Sequence, residues 1–177
     1  QLSVAGGPLA ITNLTRISTP PVEATGGSSS PSVANAGRVA FASDEANLSG
    51  GEDTNGDTDI FAGAGGSEPL ERLSRSAVGL GQGSSGSSFR PAPSYDGTIV
   101  AFLSSATNLV SDDTNGAVDV FIRNRRTGLT ERLPIPGGFE TTSADWVSIS
   151  HDGRFVTYAR RAVFLHDRFS GTTTQIS

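Results

Sequence analysis

The stretch GEDTNGDTDIF, residues 51–61, sets Asp53, Asn55, Asp57 and Asp59 at alternate positions, and SDDTNGAVDVF, residues 111–121, repeats Asp113, Asn115 and Asp119 at the same spacing. Oxygen donors at alternate positions open many calcium loops, because a curled chain turns them inward together. In the second loop Ala117 stands where the first has Asp57 and could offer only a backbone carbonyl. Without a cation, each close carboxylate pair costs about 1 kcal/mol in water and about 4 kcal/mol in a semi-buried setting. Repulsion of that size favours either full exposure or a bound ion. These seven residues are the candidate metal ligands, and calcium, as a stabilising ion, is the cofactor they suit. The competing reading is an elaborate turn: Asn-Gly makes the bend, the first Asp forms an Asx-turn, and Asp59 and Asp119 cap the next strand through backbone amides. The spacing is not that of an EF-hand, since glycine falls at the fourth position instead of the sixth and no glutamate stands at the twelfth.

Other reactive residues are sparse. His151 lies in SHDG, a solvated turn, and His166 in FLHDR, where Asp167 is its expected partner. Neither has a second histidine at zinc-ligand spacing. No GxSxG segment supplies a nucleophile elbow. GQGSSG (81–86) matches a dinucleotide fingerprint literally, but the following SSFRPAPS cannot be the helix that the fingerprint requires. Arg123, Arg125 and Arg126 gather in IRNRRTG at an expected hairpin tip, read as a solvated turn. Trp146, the single tryptophan, is placed in the core in preference to a channel rim. Asn13 and Asn47 head glycosylation sequons that matter only in a eukaryotic secretory pathway.

The formal charge is −5 and all thirteen positive residues are arginine, so no continuous basic face exists to neutralise phosphates, and nucleic acid is excluded as the expected partner. Cysteine and methionine are absent, which removes disulfides and thiolate metal sites and leaves a chain that tolerates an oxidising exterior. No window reaches the roughly 18 to 20 apolar residues of a membrane span. Twenty-two glycines, frequent Ser and Thr, and apolar runs of three to five residues are an all-β composition.

The elements that must position the loops come from a repeat. Residues 31–74 align with 91–134: Gly37 with Gly97, Asn55 with Asn115, Phe61 with Phe121 and Arg72 with Arg132, while Phe41 is one step out from Phe102. A third copy, 147–177, keeps the turn at Gly153, the strand RFVTYA and the closing TTTQIS, but lacks the acidic loop. From turn glycine to strand phenylalanine takes 24 residues in two copies (37 to 61, 97 to 121) and 11 in the third (153 to 164), so thirteen residues are deleted between two strands. Each copy reads as four short strands, in the first PSVA, RVAFAS, DIFAGA and LERLS, joined to the next by Gly/Ser linkers. Four strands at this period make a β-propeller blade. LTRIS (14–18) matches the closing strands, so 1–20 is expected to be the tail of a preceding blade, followed by blades at 31–74, 91–134 and 147–177.

The segment SYDGTIVAFLSSATNLVSDDTNGAVDVFIRNRRTGLTERL resembles the blades of the TolB-like, WD-repeat-like propellers of exported bacterial proteins. The resemblance covers the chain from about residue 30 onward, and the third copy departs from it by lacking ATNL and DTNG. It implies an all-β fold of four-stranded antiparallel blades, three of them plus one outer strand, as part of a larger or multi-chain propeller. It further implies a secreted or periplasmic, non-enzymatic scaffold that binds a protein partner such as a secreted enzyme. The remaining blades would come from the parent chain or from self-association. The alternative is a substrate-gating or carbohydrate-binding propeller attached to a hydrolase domain outside this chain.

Overall fold

Along IVAFLS the side chains alternate between two faces, and every residue from Val100 to Ser104 is buried. A strand that is apolar on both faces must be sandwiched on both sides, and the two central strands of the first and second sheets are of this kind. The computed structural model describes residues 26–48, 53, 55–64, 70–76, 85–136 and 143–177. The expected strand at 14–18 and the sequon at Asn13 lie outside them.

The described residues form three four-stranded antiparallel sheets, each a simple meander. The first contains β1 (Ser28–Val33), β2 (Arg38–Ser43), β3 (Asp59–Ala64) and β4 (Glu71–Arg72). The second contains β5 (Ser88–Pro93), β6 (Ile99–Ser104), β7 (Asp119–Asn124) and β8 (Leu129–Arg132). The third contains β9 (Trp146–Ile149), β10 (Phe155–Arg160), β11 (Ala162–Asp167) and β12 (Thr172–Gln175). This is an all-β fold of propeller blades. RVAFAS and DIFAGA are strands over the expected residues. The innermost strand starts earlier than PSVA, because the chain bulges between Ser29 and Ser32 and between Phe89 and Ala92. Ser30 and Arg90 sit in these bulges at φ of 51° and 53°.

Blades interlock by packing an aromatic face of one against an aliphatic face of the blade before it. In all three, an aromatic pair faces one way across β2/β3-type strands: Phe41–Phe61, Phe102–Phe121 and Tyr158–Phe164, with ring centroids 6.0, 5.9 and 5.4 Å apart. The second pair packs with Val100 against Ala40, Ala42, Ile60 and Ala62 of the first blade. The third packs with Val156 against Ala101, Leu103, Val120 and Ile122 of the second. The neighbouring blade thus supplies the cover that a single sheet lacks.

Turns and outer strands add polar ties. In the second blade Ser94 and Thr98 hydroxyls and the Thr98 N–H all donate to Asp96, while Ile99 N–H donates to Ser94 Oγ. Ser150 and Asp152 build the same turn in the third blade. The first blade has Ala34 and Ala36 there and makes a 3-10 turn with Ala36 at φ 57°. The middle residues of these turns link blade to blade: Asn35 N–H donates to Tyr95 O at 2.6 Å and Tyr95 N–H to His151 O at 2.9 Å. The Tyr95 and His151 rings stack at 3.9 Å, so His151 is a blade contact as well as a turn residue.

The arginine cluster does not stay together at a solvated tip. Arg123 is buried against Thr130, Arg125 pairs with Glu71 of the preceding blade, and Arg126 is exposed. Arg168 repeats the Arg125 arrangement on Glu131. His166 is also placed differently from expectation: it is buried with Nδ1 2.8 Å from Thr173 Oγ1, and Asp167 pairs with Arg154 instead. Burial lowers the His166 pKa.

Three donors hold the Asp96 carboxyl at about 2, below the usual aspartate range. Its contribution to stability is therefore present above about pH 4 and fades as pH falls toward 2. A carboxyl titration by NMR should place Asp96 well below the exposed aspartates. Asp96→Asn should flatten the acid limb of the stability curve, and an Asp96 midpoint near 4 would refute this reading of the turn.

Candidate functional site

The two acidic loops run from β2 to β3 and from β6 to β7. Each bends at its Asn-Gly, with Gly56 at φ 72° and Gly116 at φ 64°, a region that favours glycine. Side chains prop the bend: Asn55 N–H donates to Asp53 Oδ1, Asp57 N–H to Asn55 Oδ1, and Ala117 N–H to Asn115 Oδ1. The Asx-turn reading of the loop is thus visible in the backbone.

The carboxylates then converge on an arginine. Arg72 Nη1 lies 3.1 Å from Asp53 Oδ1 and 3.3 Å from Asp59 Oδ2. Arg132 Nη1 lies 3.1 Å from both Asp113 Oδ1 and Asp119 Oδ2. Asn55 and Asn115 donate their amides to the same Oδ2 atoms at 3.3 and 2.8 Å. Asp53, Asn55 and Asp59 are thereby brought together, as are Asp113, Asn115 and Asp119. Asp57 is not in its cluster: its carboxylate turns toward Ser87 Oγ, 3.5 Å away on the lead-in to the second blade.

The remaining oxygens of the strand-starting aspartates are held in two different ways. Asp59 Oδ1 accepts from Ser74 Oγ on the same blade. In the second blade Pro134 replaces that serine, and the fully buried Arg160 of the third blade reaches Asp119 Oδ1 at 2.5 Å. Arg160 can do so because the third blade lacks the loop. Its β10 and β11 are joined at Arg161, φ 57°, and Arg160 ends the strand where the other blades have Ser43 and Ser104. In the third copy Ala162 replaces the aspartate and Gln175 the arginine, so both partners of the clamp are missing together.

Asp53 Oδ2 and Asp113 Oδ2 are buried without a hydrogen-bond partner. Desolvation and then the neighbouring Asp119 carboxylate raise the Asp113 pKa, with Arg132 pulling it back. Calcium takes six to eight oxygens at about 2.3 to 2.6 Å, and among the described residues each loop has one buried carboxylate oxygen without a hydrogen-bond partner. The space between its carboxylates is taken by a guanidinium. Among the described residues no group of three or more His, Cys, Asp or Glu is placed to hold a metal. In this structure the Arg72 and Arg132 guanidinium groups place positive charge against these carboxylates. The aligned arginines of the repeat were the signal for it.

A second feature lies on the innermost strands. Ser30 to Ser32, Arg90 to Ala92 and Trp146 to Ser148, one stretch from each blade, line a cavity of about 360 Å³ on the channel side. Trp146 is 58% exposed there, not in the core as expected, and the Arg90 guanidinium sits 4.8 Å from its ring centroid. Inner strands face the axis of a propeller, which leaves this ring without a packing partner on that side.

No protein-family model matches the chain and no curated protein matches it. Solved structures do. TolB from Acinetobacter baumannii superposes with a TM-score of 0.54 at 16% identity, over 84% of this chain and 32% of that one. The β-propeller domain of the Trilobed protease from Pyrococcus furiosus gives 0.54 at 12%, over 88% and 45%. A puromycin-hydrolyzing peptidase from Mycobacterium tuberculosis gives 0.52 at 15%, over 86% and 21%. The fold is that of a TolB-like β-propeller, and the chain spans less than half the length of each of these structures.

Removing one member of a buried ion pair costs about 3 to 5 kcal/mol. Arg72→Leu should approach that value, since Arg72 is 2% exposed. Arg132→Leu should cost less, because Arg132 is 23% exposed and Arg160 still holds Asp119. Urea denaturation of both variants checks the order. Melting in calcium and in chelator should give the same temperature for the wild-type chain; a rise of several degrees in calcium would place an ion in the loops.

Proposed function

We propose that this chain is a non-enzymatic propeller scaffold that binds a polypeptide partner at its channel wall. The observation that carries the proposal is the exposed Trp146 ring with the Arg90 guanidinium over it. Tryptophan and arginine are the side chains that most often dominate binding energy at protein interfaces. A lectin role would ask for the platform to be repeated, whereas the residues in the same register of β1 and β5 are Ser29 and Phe89, and Phe89 packs against the core.

The ring is completed by further blades, from the parent chain or from another copy. On the third blade Thr157, Ala159, Val163 and Leu165 occupy the places of Ala101, Leu103, Val120 and Ile122, which the next blade buries in the second. Val163 is 36% exposed. Closed propellers have four to eight blades. We place the protein outside the cytoplasm, with a secreted enzyme as the kind of partner. Support comes from a chain free of cysteine and methionine, which tolerates an oxidising exterior.

A substrate-gating role beside a hydrolase is the second reading, favoured by the two protease propellers among the similar folds. A hydrolase segment in the same reading frame would support it. For the first reading, an array of unstructured peptides should retain the wild-type chain and lose Trp146→Ala at unchanged melting temperature. Equal retention of both proteins would overturn it.

A further inference from the structure

Resting on the channel-wall reading, we propose that Arg90 and Trp146 form a pocket for the free C-terminal carboxylate of an extended peptide. Arg90 is exposed and makes no ion pair or hydrogen bond with a described residue; its guanidinium lies over the face of Trp146. A guanidinium stacked this way keeps its edge donors open, and that edge matches a carboxylate with two parallel hydrogen bonds. The net charge of −5 supplies no long-range attraction for an anion, so the contact itself has to provide the affinity.

The backbone points the same way. Arg90 holds φ at 53°, a left-handed conformation that costs a residue with a Cβ about 1 kcal/mol or more. Ser30 holds the same conformation in the matching bulge of β1, and bulges of this kind re-aim a side chain. The one at Arg90 lifts the side chain out of β5, toward β9 of the next blade.

The choice of a peptide follows from the strand beside the pocket. All three inner strands are edges of their sheets. Pro31 in β1, and Pro91 and Pro93 in β5, lack the donors that a pairing strand would need, whereas β9, Trp-Val-Ser-Ile, contains no proline. An extended chain can therefore pair along β9 and lay an apolar side chain on Trp146 while its end meets Arg90. The cavity of about 360 Å³ is at the small end of ligand sites, which span about 300 to 1,000 Å³, and suits a chain end better than a through-running segment.

Trp146 is the only tryptophan, so its emission reports on the pocket directly. The full chain should be titrated with acetyl-Ala-Ala-Leu as the free acid, with its C-terminal amide, and with acetyl-Ala-Asp-Leu amide. A saturable change with the free acid is expected, with both amides at least tenfold weaker. In Arg90→Gly the acid and its amide should bind equally, while the melting temperature holds or rises because glycine relieves the left-handed strain. A merely structural arginine would lower it. Equal affinity of acid and amide in the wild type, or a difference that survives Arg90→Gly, overturns the carboxylate assignment while leaving the channel-wall reading in place. Equal affinity of the aspartate-bearing amide and the acid overturns the chain end as the source. No saturable change with any probe overturns the pocket altogether.

Discussion

A carboxylate with no solvent contact has to be neutralised within hydrogen-bond reach, because burying it alone costs more than a fold of this size can offset. Asp59 and Asp119, both 0% exposed, stand at the first residue of β3 and β7 and set that condition twice. The rest of each blade's polar architecture answers it. An arginine thirteen residues on, in the outer strand, supplies the charge; the Asn-Gly bend folds a second aspartate and an asparagine onto the same group. Where Ser74 gives way to Pro134, an arginine from the following blade takes over. The third blade, with neither the aspartate nor the outer-strand arginine, needs no loop.

The apolar architecture works by nearest neighbours. The second and third aromatic pairs pack into the aliphatic face of the blade before them, so each blade gains its cover from a neighbour. The polar ties are quasi-equivalent too: Arg125–Glu71 and Arg168–Glu131 repeat from one junction to the next. Arg160–Asp119 breaks that equivalence. It joins the clamp of one blade to the strand end of another, so a change in the second loop should be felt in the third blade.

Much of this was legible in the sequence because it repeats. Gly37, Gly97 and Gly153, the strands RVAFAS and DIFAGA, and the thirteen-residue deletion all rest on spacing that local pattern reveals. Arg72 and Arg132 were visible as aligned residues, yet their role was not, since a cation brought in from the outer strand leaves no mark on the loop itself. His166 and Asp167 are adjacent in sequence but point to opposite faces of β11, so they could not pair. Trp146 was misplaced for a related reason. An aromatic at the head of a strand reads as core, and only the axial position of the strand leaves it open.

Arginine closes the acidic loops, and a double-mutant cycle on Asp59 and Arg72 in the presence of chelator measures that closure. With Asp59→Asn and Arg72→Gln, a coupling energy of about 1 to 3 kcal/mol is expected, unchanged when calcium is added. Additive effects of the two substitutions, or a coupling that calcium abolishes, would contradict it.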